Sequence, residues 1–287
     1  MASLKEVKGR IATVNNTRKI TSAMKMVASA KLHKAQGAIG NMLPYENRLH
    51  LLLNNFLTGA DIVSPYVSER EVKRMALVVF SSNSSLCGGF NANVIKQATA
   101  LLEGYKGLGK ENILIYPIGK KVADALLKSG YQVQGDYQQM ANHPSFADAA
   151  SLAQELMDMY VEGKVDRVEI LYNHFKSMAT QILTHETYLP IQLSTPSEGD
   201  TQEEVDYILE PSREELLTQL LPKVLRMKLY TALLDSNASE HAARTMAMQI
   251  ATDNADELLQ ELTLMYNKTR QQAITNELLD IVGGSMA

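Results

Sequence analysis

Apolar and small residues recur in steps of three and four along the first part of the chain. Leu4, Val7, Ile11 and Val14 open the series, and Ala28, Leu32, Ala35, Ile39 and Met42 resume it. That spacing is the seam of a coiled-coil helix. Between the two blocks the seam meets Arg18, Thr21 and Lys25, while Ile20, Met24 and Val27 mark a different face. A stripe that drifts in this way predicts a partner surface that changes along the helix. Leu49, Leu52, Leu53 and Phe56 carry the pattern to a stop near Thr58-Gly59. One helix from about Ser3 to Leu57 is expected.

The other end of the chain repeats the theme. From Lys223 to Val282, sixty residues pass without a glycine or a proline. An unbroken helix of that length runs roughly 90 Å, against about 10–14 residues for an ordinary globular helix. Pro211-Ser212-Arg213-Glu214-Glu215 opens this segment, and Pro222 is expected to bend it near its start. Leu258, Leu262 and Met265 keep a four-three rhythm and predict a paired seam. A polar belt, Asn267-Lys268-Thr269-Arg270-Gln271-Gln272, interrupts the stripe before Ile274, Leu278 and Ile281 restore it. An arginine in such a belt has a carboxylate as its natural partner, because the guanidinium fork matches carboxylate geometry.

Between the long helices the period changes. Met75–Phe80 is a short apolar run ending in Ser81-Ser82-Asn83-Ser84-Ser85, a strand followed by a turn. Asn91 is placed to cap a helix reaching about Tyr105. Ile113–Ile118 is a second strand, followed by a helix over about 120–128 that closes at Gly130, and another over about 146–162. Val165–Phe175 and Gln181–Leu189 form a hairpin across Lys176–Thr180, and residues 191–205 are a polar loop. Strands alternating with helices predict a Rossmann-like α/β domain. The chain thus divides into an N-terminal coiled-coil helix (1–58), an α/β domain (70–205) and a C-terminal coiled-coil helix (211–287), a shaft with a head.

Composition narrows the function classes. The chain has 287 residues, 45% hydrophobic and 21% charged, a globular balance. No apolar run approaches the roughly 18 residues of a membrane span, and the N-terminus has no signal-peptide core. One cysteine, Cys87, leaves no internal disulfide and no cysteine metal cluster, and fits a reducing compartment. The net charge of −4 is unevenly spread: residues 1–43 carry eight basic side chains against one acidic, whereas residues 211–287 carry ten acidic against seven basic. A basic helix on an acidic one is complementary, and the surplus can face an acidic partner. Nucleic acid is disfavoured, because the basic residues circle the helix without interleaved aromatics.

Candidate chemistry is sparse. Gly88-Gly89 sit where a phosphate loop would, after a strand and before a helix, but lack the spacing of a dinucleotide fingerprint and the Gly-Lys-Ser/Thr of a P-loop. A structural turn is the expected reading. Cys87 reads as a small buried thiol. The six histidines show no ligand or triad spacing. Asp253 and Asp256-Glu257 read as a solvated helix face. No cofactor, metal or catalytic residue is expected.

The run from Arg10 to Leu32, the runs Ala238–Met248, Ala251–Asn254, Tyr266–Glu277 and Ile281–Gly284, and the central Leu86-Cys-Gly-Gly-Phe-Asn91 closely resemble the γ-subunit family of bacterial F-type ATP synthases. The resemblance spans the whole chain. One departure is visible: the family commonly has Ser-Asp-Arg-Gly before Leu-Cys-Gly, where this chain has Ser82-Asn83-Ser84-Ser85. The resemblance implies an antiparallel coiled coil of the two termini with a Rossmann-like domain. It implies a rotor stalk inside a ring of three α and three β subunits, with a foot on the ε subunit and the membrane c-ring. Such a subunit makes no bonds itself and lies on the cytoplasmic face of the inner membrane without inserting. On the same grounds Ile274, Leu278, Ile281 and Val282 correspond to an apolar tip turning in a bearing. Arg270 and Gln271 correspond to a catch on a β-subunit loop, and Met24 and Lys25 to the segment facing the acidic lever of β. Two other readings compete: an α/β nucleotide-binding enzyme with helical arms, and a static coiled-coil scaffold. The first needs a phosphate site, the second an unbroken heptad.

Overall fold

The computed structural model describes residues 3–57, 64–191 and 213–284. The predicted stop at Thr58-Gly59, the loop from residue 192 onward, the Pro211-Ser212 opening and the terminal Ser285-Met286-Ala287 lie outside the described residues. The described elements run α1 (Leu4–Leu57), β1 (Met75–Phe80), α2 (Phe90–Gly104), β2 (Ile113–Ile118), α3 (Lys120–Lys128), β3 (Gln132–Val133), α4 (Gln138–Asn142), α5 (Phe146–Val161), β4 (Arg167–Phe175), β5 (Gln181–Leu189) and α6 (Arg213–Gly284). Pro44 and Pro222 lie inside α1 and α6. The chain falls into two compact units, Met1–Ser29 with Arg244–Ala287, and Ala30–Ala243.

The larger unit is built on one five-stranded sheet in the order β3-β2-β1-β4-β5. The first four strands are parallel, and β5 returns antiparallel to β4. Every residue of the central strand β1 is buried. A parallel strand covered on both faces needs this continuous apolar run rather than alternation. Its side chains divide by twos. Ala76, Val78 and Phe80 pack with Leu152, Leu156 and Tyr160 of α5 and Leu225, Leu229 and Leu233 of α6. Met75, Leu77 and Val79 pack with Val94, Ala98 and Leu102 of α2 and Val122 and Leu126 of α3. The two-residue β3 and the short α4 carry too little periodicity to be predicted. The hairpin between β4 and β5 closes through reciprocal bonds between Ser177 and Thr180.

In the same unit α1 and α6 pack as an antiparallel pair. Leu32, Ala35 and Ile39 meet Leu234, Ala238 and Ala242, and Leu49 and Leu53 meet Leu217, Leu221 and Val224. Alanines on the α6 side let the two backbones approach closely. Asn173 and Tyr188 tie the sheet to α6: Ser239 Oγ donates to the Asn173 carbonyl at 3.0 Å, and the buried Tyr188 hydroxyl donates to the Leu225 carbonyl at 2.9 Å.

In the smaller unit α1 and α6 form a second antiparallel stretch. Arg18, Thr21 and Lys25 on α1 bond to Asp256, Thr252 and Gln249 on α6, so rising numbers on one helix meet falling numbers on the other.

Candidate functional site

The loop after β1 is tied into itself. The Ser82 amide donates to Asn91 Oδ1 at 3.0 Å, and Asn91 Nδ2 donates back to Ser82 Oγ at 2.8 Å. Asn91 therefore does not cap α2 as predicted; Gly89 holds the cap position, without a side-chain bond. The asparagine is one residue inside the helix, where its side chain reaches the preceding loop instead. Cys87 is buried against Ser82 and Asn91. Gly88 takes φ +58°, the left-handed turn its lack of a Cβ permits.

A phosphate would need the free amides at the start of a helix. At α2, which follows Gly88-Gly89, Phe90 N–H donates to the Cys87 carbonyl; at α3 Lys120 N–H donates to Asn83 Oδ1 at 2.9 Å, Lys121 N–H to the Ser82 carbonyl and Val122 N–H to Ser81 Oγ. Asn83 also donates to the Gln138 carbonyl at 2.7 Å. Asn83 thus stitches the loop to α3 and α4 without any charge.

The crevice beyond the C-terminal ends of the parallel strands is where open α/β sheets bind ligands. Here α6 fills it. Leu233, Ser236, Asn237 and Glu240 close over Phe80, Ser81, Ile118 and Ala141, leaving a cavity of about 10 Å³. That space suits one water molecule and no nucleotide. Among the described residues, no three His, Cys, Asp or Glu side chains gather as metal ligands. The surfaces of α1 and α6 in the smaller unit therefore hold the remaining candidates.

On α1 the seam does not drift. It runs through Arg18, the buried Thr21 and Lys25 without losing its three-four step, while Ile20, Met26 and Val27 stand exposed outside it. The apparent shift of face arose because polar residues occupy true seam positions. Lys25 Nζ donates to Gln249 Oε1 at 2.7 Å, and Met24 is half-buried beside it. On α6 the predicted seam is right at Leu262 and one residue off at Leu258 and Met265. Leu262 is buried, but Leu258 and Met265 are exposed. The buried and half-buried positions include Met248, Thr252, Ala255, Leu259, Leu262, Tyr266, Thr269 and Ala273, an unbroken three-four series, with Gln249, Ala251 and Asp256 half-buried beside it. It includes alanine and threonine, which apolar pattern-matching skips.

This series passes through the polar belt at Thr269. Arg270 and Gln271 lie outside it and are exposed. Beyond the belt, Ile274, Leu278, Ile281 and Val282 are each 49% to 68% exposed. At spacings of four, three and one they share a side of the helix. Leu279, 64% exposed, widens the patch and was missed by the sequence reading, though its adjacency to Leu278 is the signal that could have found it. Isolated exposed apolar residues need no explanation, but a contiguous patch marks an interaction surface.

The family model described as ATP synthase matches residues 3–287. The chain is 65% identical to the ATP synthase gamma chain of Phocaeicola vulgatus, across 100% of both proteins. The chain belongs to the ATP synthase gamma-chain family. Other gamma chains are similar as well, that of Bacteroides fragilis at 62% identity over 100% of both chains, and that of Cytophaga hutchinsonii at 48% over 100% of this chain and 99% of the other. Two solved structures share the fold. A chain of the Euglena gracilis mitochondrial ATP synthase assembly of OSCP, F1 and c-ring aligns with TM-score 0.65 and 20% identity, covering 99% of this chain and 93% of that one. A chain of the Tetrahymena thermophila mitochondrial central stalk and c-ring aligns with TM-score 0.57 and 24% identity, covering 81% and 99%. A gamma-chain fold explains why the crevice is blocked: the long C-terminal helix needs the sheet as its seat. No described helix is long and apolar enough to cross a membrane.

Proposed function

We propose that this gamma chain is the central rotor stalk of an F-type ATP synthase, coupling rotation of the membrane c-ring to conformational cycling of the β catalytic sites. The observation that carries the reading is the exposed apolar patch Ile274, Leu278, Leu279, Ile281 and Val282, next to the exposed Arg270 and Gln271. A patch of this kind at the end of a helix calls for a sleeve around it. The sleeve is the ring of three α and three β subunits, in which the patch turns as a bearing. Arg270 and Gln271 catch on polar and acidic groups of a β loop, and Met24 with Lys25 faces the acidic lever of β. The α/β domain seats on the ε subunit and the c-ring. The relatives are gamma chains of ATP synthase, and the fold is shared with chains of assemblies that include F1, a central stalk or a c-ring.

The chain itself performs no chemistry and holds no cofactor. Its surface differs from side to side, so it contacts the three β subunits unequally. A body that binds two states of a partner unequally shifts their equilibrium, and rotation moves that bias from site to site. The complex sits on the cytoplasmic face of the cell membrane.

The test is Arg270→Ala in the assembled complex. ATP synthesis driven by a proton gradient is expected to fall at least about tenfold, the lower end for a lost charged hydrogen bond of about 1.5–3 kcal/mol, with the amount of assembled complex unchanged. Normal synthesis at normal complex levels would refute the catch. Purification of the chain as a self-sufficient homodimer would refute the stalk.

A further inference from the structure

Leucine at seam positions 18, 21 and 25 would hold α1 to α6 more tightly than Arg18, Thr21 and Lys25 do. Polar groups entering a seam give up hydration and recover only part of it. Yet three successive layers are polar, and each closes on a directional partner. Arg18 Nη1 donates to Asp256 Oδ1 at 2.8 Å, the Thr21 and Thr252 hydroxyls meet at 2.8 Å, and Lys25 Nζ donates to Gln249 Oε1 at 2.7 Å. The bonds continue into α6, where Gln249 Nε2 donates to Asp253 Oδ1 and the Thr252 hydroxyl reaches the Met248 carbonyl, both at 2.7 Å. Thr21 is only 9% exposed.

Apolar residues share the seam: Val7 and Ala28 on α1 and Ala255 and Leu262 on α6 are buried, Ala255 between the Thr252 and Asp256 layers, and smooth apolar contacts change little when one helix slides along the other. A hydrogen bond is lost over a displacement of about 1 Å, because its length and angle leave their narrow range together. Sliding would therefore break the short Thr21–Thr252 bond and strain the longer-armed Arg18–Asp256 and Lys25–Gln249 pairs on either side of it.

Sliding matters when a two-helix rod is bent. Bending in the plane of the pair lengthens the path of one helix and shortens that of the other, so the two must shear past each other. When shear is blocked the pair bends as one body and is several-fold stiffer in that plane. We propose that the Arg18–Asp256, Thr21–Thr252 and Lys25–Gln249 layers are shear keys that lock α1 to α6 against axial sliding and stiffen this stretch against sideways load. The inference rests on the rotor reading for the source of that load, the push of the surrounding subunits on an asymmetric stalk.

The experiment measures sliding directly in the assembled complex. Spin labels are placed at Lys8→Cys and Glu257→Cys, both exposed positions; the native Cys87 is buried and stays unlabelled. The Arg18–Asp256 pairing sets position 8 opposite position 266, so the labels are offset by roughly 14 Å along the axis. With that offset, sliding changes their distance to first order. The parent should give one narrow distance distribution. Arg18→Leu/Thr21→Val/Thr252→Val/Asp256→Leu should broaden it by at least half and lower synthesis several-fold while the ring still hydrolyses ATP. The exchange Arg18→Asp/Asp256→Arg should restore the narrow width. If the fourfold variant fails to assemble, Thr21→Val/Thr252→Val, which keeps the branched shape, answers alone with a smaller broadening. A width equal to the parent's in either variant overturns the shear keys. A parent complex that fails to rotate a bead fixed to this chain overturns the rotor reading instead, and the label widths still decide the keys.

Discussion

Glu169 is a carboxylate in the middle of a sheet. On β4 its neighbours Val168 and Ile170 face the α5 core, whereas Glu169 points to the opposite side, where only 2% of it is exposed. Burial alone would raise its pKa. The hydrogen bonds from His185 and Tyr105 and the charges of His185 and Arg167 outweigh burial and hold it below the usual carboxylate value. The Tyr105 hydroxyl donates to Oε1 at 2.5 Å, His185 Nε2 lies 2.9 Å from Oε2, and Arg167 Nη1 is 3.8 Å from Oε1. Among the described residues Arg167 Nε is buried without a hydrogen-bond partner, so that guanidinium depends on the carboxylate, and on the Tyr105 hydroxyl 3.4 Å from Nη1, for compensation. Glu169→Gln keeps the volume but removes the charge and turns an NH2 toward donors. Bonds to a charged acceptor are worth about 1.5–3 kcal/mol and neutral ones about 0.5–1.5. His185 and Arg167 are about a third exposed, so water recovers part of the loss, and a net cost of about 2 kcal/mol follows. For a chain of this size that lowers Tm by roughly 4–8 °C.

The pH dependence carries the sign. A carboxyl with a depressed pKa contributes its full stability above its unfolded value of 4.5 and loses it as pH falls through the lower folded value. Thermal unfolding of the full chain and of Glu169→Gln should therefore differ most near neutral pH, and the two should converge below about pH 4.5. Charges outside the Tyr105, Arg167 and His185 cluster keep their surroundings in both proteins and cancel in the difference. A variant as stable as its parent at pH 7, or a gap that does not close in acid, would show that the cluster is not held by the ionised carboxylate.

Two other substitutions probe separate links. Gly119, at φ +112°, precedes α3, and a Cβ there would run into the Ser81 backbone carbonyl; Gly119→Ala should cost about 1–3 kcal/mol or more, read as a Tm loss, and an unchanged Tm would mean that the loop yields. Ile274→Asp puts a charge into the proposed sleeve and should lower assembly or slow rotation, since desolvating a carboxylate costs several kcal/mol; normal yield and speed would indicate a wet bearing.

The sequence by itself determined the elements with strong periods. The two long helices were legible because three-four spacing over dozens of residues has no other reading. β1 and β2 were legible because Met75–Phe80 and Ile113–Ile118 stay apolar on both faces, and β4 and β5 because two β-leaning runs flank the turn at Lys176–Thr180. The Arg270–Gln271 belt and the apolar patch after it also stand in the sequence, since both interrupt or extend a stripe. Tertiary structure alone decided what shares the seam. Thr21, Thr252, Ala255 and Thr269 occupy it because of where the partner helix lies, and hydropathy cannot rank a threonine that bonds across a helix pair above an exposed isoleucine such as Ile20. The same holds for Asn91 and Asn83, whose bonds run to a loop and to α3 and α4. It holds most for the Rossmann crevice. Its strands and turn are local, but the side chains that close it, Leu233 to Glu240, come from a helix far along the chain. Local pattern specifies an element, whereas burial and pairing depend on which distant element arrives to cover it.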